Sequence, residues 1–337
     1  MLHSCWIMNE ANRFAVAGQR AVQQAGLNLR LRQCLLSADP RFSTSMPAHF
    51  FRIVLAVITL TWLISEAAAA PETVYFRSAD GRTQLVGYLF RPQAAGPAPA
   101  IVLLHGRGGP YSSNVNADCT VVGPKISSPC NATTLAKRHA MWGQYWAARG
   151  YLALLPDSFG PRGKAYGFGR FTHDDPDRDD VNEKTVRPLD AEGALAYLRG
   201  RGDVIGNQIF LQGWSNGGST ALNVMIRQGA NLAAGFRGVL AFYPGCGPKA
   251  LLQPTISTTA PIAMFLGADD DQVSPAFCQQ AADRARQAGS KIDVTVYPGA
   301  THDFDDPSPR HQSVAANQAA RNDVQAKAIA AVARWKN

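Results

Sequence analysis

Three kinds of side chain in the second half of the chain have the makings of acyl-transfer chemistry. Ser215 sits in Gly-Trp-Ser-Asn-Gly (213–217), three acids (Asp269, Asp270, Asp271) follow one another after an apolar run, and His302 lies in Ala-Thr-His-Asp-Phe (300–304). A serine hydroxyl is a weak nucleophile alone and needs a neighbouring base. Imidazole suits that task, and a carboxylate behind it holds the tautomer and stabilises the imidazolium. Taken by itself, Ser215 also fits an ordinary turn in a chain with 30 glycines. The surrounding elements must therefore decide whether these groups can meet.

The run 208–213 reads as a strand and 216–228 as a helix, which places Ser215 on a strand-to-helix turn. Gly213 and Gly217 suit a turn too tight for larger neighbours, and a helix N-terminus beside the serine offers free N–H groups. The acids follow a strand at 261–267 and His302 follows one at 293–299. Upstream, 73–76 and 85–92 read as a hairpin around Ala79-Asp80-Gly81-Arg82, and 99–106 as a buried strand. Further strands at 151–157 and 238–245 alternate with helices at 136–150, 188–201, 274–289 and 313–335. Such alternation predicts an α/β fold with a mainly parallel central sheet and helices on both faces, in one domain over 70–337. Two long irregular stretches, 110–135 and 157–187, leave the carboxyl ends of strands, where ligands bind in such sheets.

Serine, acid and histidine, each just after a strand and in that order, is the chain order of the α/β-hydrolases. In that fold the turn after the third strand, here Leu-Leu-His-Gly-Arg-Gly-Gly (103–109), supplies a backbone N–H to the oxyanion hole, so the expected donors are the amides of Arg107 and Asn216. Residues 70–337 resemble the dienelactone hydrolase family over nearly their whole length. The matching stretches are 103–109, GYLALLPDSFGPRG (150–163), RPLDAEGALAYLRG (187–200), GWSNGG (213–218), FYPGCG (242–247), GADDDQV (267–273) and YPGATHDF (297–304). The resemblance implies the α/β-hydrolase fold, with about eight strands, and picks Asp270 as the acid, with Asp269 and Asp271 as runners-up. It also implies an orienting ion pair between Arg187 and Asp190. The enzymes that gave the family its name use a cysteine nucleophile, whereas this chain has Ser215. The expected activity is therefore hydrolysis of a small carboxylic ester or lactone through an acyl-enzyme, with no cofactor or metal. The alternatives are a peptidase or acyltransferase using the same triad, or a non-catalytic envelope protein binding a ligand in the same cleft.

Other groups are read more modestly. Arg162 and Lys164, near a strand end, are candidates for meeting an anionic group of the substrate. His105 is expected to brace its turn, and His139 and His173 to pack or face solvent. The acidic run 173–183 lacks EF-hand spacing and reads as a solvated loop. Trp142 and Trp146, four apart, read as a helix face against the sheet.

Composition agrees with a globular enzyme, at 46% apolar and 17% charged residues. The net charge of +8 falls to +5 without residues 1–69, which hold six arginines and three acids. Neither segment has a long basic run with interleaved aromatics, so nucleic acid is not an expected partner. The segment 46–69 has the layout of a signal peptide: Arg52, an apolar core over 53–64, then small residues with a cut near Ala69. Its core is short of the roughly 20 residues of a bilayer span, so a membrane association is expected only if the segment stays uncleaved. On this reading the protein is exported, periplasmic or secreted. Met46 is the natural start, and 1–45 is upstream text of an over-extended reading frame. The competing reading is a genuine N-terminal extension. The four cysteines after residue 69 suit an oxidising compartment, with Cys119–Cys130 the preferred pair and Cys246–Cys278 the second.

Overall fold

The computed structural model describes residues 70–336; the extension over 1–45 and the signal segment over 46–69 lie outside the described residues. Eight strands form one sheet: β1 (Glu72–Arg77), β2 (Gln84–Phe90), β3 (Ala98–Leu104), β4 (Leu152–Asp157), β5 (Val204–Trp214), β6 (Val239–Phe242), β7 (Ile262–Gly267) and β8 (Ile292–Tyr297). Their order is β1-β2-β4-β3-β5-β6-β7-β8. β2 runs antiparallel to β1 and β4, and every other neighbouring pair is parallel. This is the mainly parallel, eight-stranded α/β sheet expected from the alternation of elements.

The central strands are largely apolar because both of their faces are covered. Val102, Leu104, Leu154 and Leu211 point to one face, where they meet Ala191 and Leu195 of α2 (Arg187–Arg199), Leu222 of α3 (Asn216–Gln228) and Ala281 of α4 (Pro275–Gln287). Ile101, Leu103, Leu155 and Phe210 point to the other, against Trp142 and Trp146 of α1 (Lys137–Ala147) and Val324 and Ala328 of the long C-terminal helix Ala315–Trp335. The period of two along each strand thus feeds two separate cores. Burying one Leu or Phe in such a core contributes about 1.5–3 kcal/mol, and Trp142 and Trp146 are both fully buried on the helix face assigned to them.

The irregular stretches are built rather than loose. Cys119–Cys130 closes the first, and Cys246–Cys278 ties the strand end after β6 to α4. The second contains short 3-10 segments at Gly160–Arg162 and Pro176–Val181. Gly167 of this stretch lies so close to Gly108 that a Cβ there would collide with the Gly108 carbonyl. Close backbone approach therefore leaves room only for glycine at 167, which also has φ 70°. Among the described residues, no helix is long and apolar enough to cross a membrane.

Candidate active site

β5 delivers Ser215 to the carboxyl end of the sheet and α3 begins at the next residue. Ser215 has φ 52° and ψ −118°, a backbone conformation that non-glycine residues rarely adopt. Holding it there costs about 1–3 kcal/mol, which the surroundings must supply. They do so by packing backbone on backbone: a Cβ at Gly213 would strike the Gly217 carbonyl, and one at Gly217 would strike Leu104 and His105. The Ser215 N–H donates to the Phe242 carbonyl at 2.9 Å, and its carbonyl accepts from Ser219 N at 3.0 Å.

The histidine and the acid arrive from β8 and β7. His302 is buried, and its Nδ1 lies 2.7 Å from Asp270 Oδ2. Because a carboxylate can only accept here, Nδ1 carries the proton and Nε2 is left as the accepting nitrogen. The other carboxylate oxygen, Oδ1, accepts the backbone N–H groups of Gln272 (2.8 Å) and Val273 (2.9 Å). Of the three consecutive acids, only Asp270 meets the histidine. Asp269 is exposed, and Asp271 is exposed and paired with Arg170.

A second buried polar group lies behind the histidine. The Tyr243 ring packs 4.6 Å from the His302 ring, and its hydroxyl donates to Asp305 Oδ1 at 2.6 Å. Asp305 Oδ2 accepts from the indole N–H groups of Trp142 (2.7 Å) and Trp214 (2.9 Å). Arg138 joins this group by donating to the Tyr243 oxygen and to Asp303. Burial raises the pKa of Asp305 even with Arg138 near. For Asp303 burial is outweighed by Arg138 and His302, and its carboxyl stays below the usual range.

The turn after β3 comes up against the serine elbow, bringing Arg107 and Asn216 to one small cleft with Ser215. The Arg107 carbonyl accepts from Phe168 N at 2.8 Å, and its guanidinium donates to Phe168 O (3.2 Å) and to Gln272 Oε1 (2.7 Å). His105 braces this turn as expected: fully buried, it donates from Nδ1 to the Gly106 carbonyl (2.8 Å) and accepts Ser158 N–H on Nε2 (3.3 Å). Burial and the nearby Arg187 push its pKa well below the ordinary value, so it is a neutral brace.

Two expectations are corrected. Arg162 and Lys164 do not line the cleft of Ser215. Arg162 donates to both oxygens of the fully buried Asp190 at 2.8 Å and to the Ser158 carbonyl, and Lys164 pairs with Asp177 at 2.7 Å. A carboxylate within reach holds each cation in the scaffold. The Arg187–Asp190 pair is likewise replaced, since Asp190 is taken by Arg162 while Arg187 donates to Asn216 Oδ1 and to His105 O. Reading along the sequence missed His173, Arg178 and Glu183, which the stretch 157–187 folds back into the cleft. Only the length of that stretch and its place after a strand end pointed to them. Among the described residues, no cluster of three or more His, Cys, Asp or Glu is placed to hold a metal ion.

Comparison with known proteins places this arrangement. The chain is similar in structure to a Klebsiella pneumoniae protein assigned as a dienelactone hydrolase, with 16% identity and a TM-score of 0.55 over 78% of this chain and 99% of the other. It is also similar to a dienelactone hydrolase-like promiscuous phosphotriesterase, P91, from metagenomic libraries (18%, 0.55, 76% and 97%). A third is a thermophilic esterase of the planctomycete Thermogutta terrifontis with propionate bound (17%, 0.51, 78% and 95%). No curated protein matches the sequence significantly. The profile of the dienelactone hydrolase family matches residues 134–334, a span that holds the serine elbow, Asp270 and His302. The chain belongs to the dienelactone hydrolase family, and with it to the hydrolases that act on ester bonds.

Proposed function

We propose that the protein hydrolyses a small carboxylic ester or lactone through an acyl-enzyme on Ser215. The observation that carries this reading is the buried His302–Asp270 pair at 2.7 Å, at the same end of the sheet as a serine in a strained elbow. His302 Nε2 takes the Ser215 proton as Oγ attacks the carbonyl carbon. Asp270 holds the tautomer and stabilises the imidazolium. The N–H groups of Arg107 and Asn216 receive the oxyanion, and His302 then protonates the leaving alcohol. Water, deprotonated by His302, then attacks the acyl carbon; the C–Oγ bond breaks, His302 returns the proton to Ser215 Oγ, and the acid is released. In a lactone the leaving alcohol stays on the acyl chain, so ring opening yields a hydroxy acid.

Two disulfides fit an exported protein, and cleavage of the 46–69 segment near Ala69 would complete that route. The P91 neighbour is described as a promiscuous phosphotriesterase, and a serine poised for carbonyl attack also reacts at phosphorus. A fluorophosphonate probe therefore tests the reading directly. The purified protein is expected to gain one covalent adduct on the peptide spanning Gly213–Gly218 and to turn over short-chain aryl esters and lactones. Ser215→Ala is expected to lose both. Labelling elsewhere, or hydrolysis surviving in Ser215→Ala, sinks the assignment.

A further inference from the structure

The two amides assigned to the oxyanion lie on separate segments, Arg107 on the turn after β3 and Asn216 on the first residue of α3. One buried side chain touches both segments. Arg187, the first residue of α2, is fully buried. Its Nη2 donates to the His105 carbonyl at 2.7 Å, and its Nη1 donates to Asn216 Oδ1. The Phe159 ring centre lies 5.1 Å from its guanidinium carbon. Its Nε has no hydrogen-bond partner among the described residues, and Asp190, three residues on, has both oxygens on Arg162.

This is a costly way to fill space. A buried cation with only carbonyl oxygens as acceptors forfeits hydration, and burial lowers the Arg187 pKa to about 10. A packed apolar side chain would avoid that desolvation but leave the His105 and Asn216 oxygens without these donors. What only the guanidinium supplies is a rigid fork with two donors at a fixed separation. Those donors reach the two segments that carry the oxyanion amides. The link continues to the donor atoms themselves. The carbonyl of the Gly106–Arg107 peptide is held by His105 Nδ1 at 2.8 Å and by Gly109 N at 3.2 Å. In a planar trans peptide the C=O and N–H point in opposite directions, so fixing that carbonyl aims the Arg107 N–H.

We propose that Arg187 is the positioning residue of the oxyanion hole, fixing the Asn216 side chain and the His105–Arg107 turn at the spacing a tetrahedral oxyanion needs. It rests on the acyl-enzyme reading above. An oxyanion donor matters in the transition state more than in the bound ester, so a disturbed spacing lowers kcat and leaves KM nearly unchanged.

The test uses full-length wild type, Ser215→Ala, Asn216→Ala, Arg187→Lys, Arg187→Met and the Arg187→Met/Asn216→Ala double variant. Activity in wild type but not in Ser215→Ala establishes the nucleophile first; survival in Ser215→Ala overturns that reading, and this proposal with it. Asn216→Ala keeps the backbone amide and removes only the side-chain tie. It and Arg187→Met are each expected to lower kcat about 100-fold, the scale of a misplaced catalytic group. KM should stay within about threefold, and Arg187→Lys should recover part of the loss. Since both single changes break the Arg187–Asn216 tie, the double variant should be no slower than the slower single one. Affinity for a boronic acid that forms a tetrahedral serine adduct should fall in parallel with kcat, and affinity for the carboxylate product should not. The proposal is overturned by wild-type kcat in a folded Asn216→Ala, by losses that multiply in the double variant, or by losses in KM alone. If Arg187→Met does not fold, Asn216→Ala and Arg187→Lys decide the matter by themselves.

Discussion

Asp270 and Asp305 are both buried carboxylates near His302, and both accept three hydrogen bonds, yet they are built for different work. Asp270 accepts two backbone amides and the imidazole Nδ1, so one of its partners can change protonation state. Asp305 accepts two indole N–H groups and a phenol. An indole N–H does not titrate, and the Tyr243 hydroxyl is pushed well above its ordinary pKa by burial and the neighbouring acids. Asp305 is thus surrounded by donors that keep their protons. It joins α1, β5 and the tyrosine that packs on His302, and its function is to hold their geometry. The donors around a buried carboxylate, more than its burial, decide whether it takes part in proton transfer or in scaffolding.

Substitution at the two positions should separate these roles. Asp270→Asn preserves volume and the backbone donors, but its amide can present an N–H to Nδ1 and so favour the wrong tautomer. In serine triads such a change lowers kcat by about 10⁴. The fold should remain, with an unchanged denaturation midpoint. A fall in stability with little loss of kcat would reverse the assignment of the two acids.

Asp305→Ala should do the opposite. It strands Trp142 Nε1, Trp214 Nε1 and the Tyr243 hydroxyl in the core and leaves Arg138 with one fewer acid, at 4.0 Å. Removing one partner from a buried charged network costs about 3–5 kcal/mol. Urea denaturation should record that loss, while kcat per folded molecule changes far less than in Asp270→Asn. A variant as stable as wild type would mean the network is satisfied by other groups.

The sequence displays the elbow more openly than its support. Ser215 is legible because steric collisions at Gly213 and Gly217 leave only glycine there, and because the strand before it and the helix after it have different periods. Asp270 was separable from Asp269 and Asp271 only through family spacing. Physically the choice is made by two turn amides that draw one carboxylate inward and leave its neighbours in water. The partners of Arg187 were not legible. Arg187 and Asp190 stand three apart on one helix, a spacing that favours a local pair, but a bidentate bond from Arg162 in the preceding loop is the stronger match. That competition is settled by tertiary contacts that no local pattern contains. The same holds for His173, expected to pack or face solvent and instead brought to the cleft by a loop of some thirty residues.

The support region also carries a pH dependence that the Asp270–His302 side need not share. His139 is buried beside Trp214, with ring centres 5.4 Å apart, and donates from Nδ1 to the Pro110 carbonyl at 3.0 Å. Its Nε2 has no hydrogen-bond partner among the described residues, so a proton there would gain no acceptor. Burial, then Arg138, push its pKa down to about 4, against smaller opposing effects from the Pro110 hydrogen bond, Asp306 and Asp303. An unfolded histidine titrates near 6.5, so between these values the unfolded chain binds the proton that the folded chain refuses. Stability from this group is therefore complete above about pH 6.5 and is lost as the pH falls toward 4. The loss amounts to about 2 kcal/mol at pH 5 and about 3 kcal/mol at pH 4. His105 is lowered for the same reason and adds in the same direction. His139→Gln removes one titration and leaves the other. Its stability should fall less steeply than that of wild type between pH 7 and pH 5, by about 2 kcal/mol, when midpoints are compared in urea. Parallel slopes for the two proteins would show that His139 is protonated in the native state, and that the region behind His302 admits charge more readily than its packing implies.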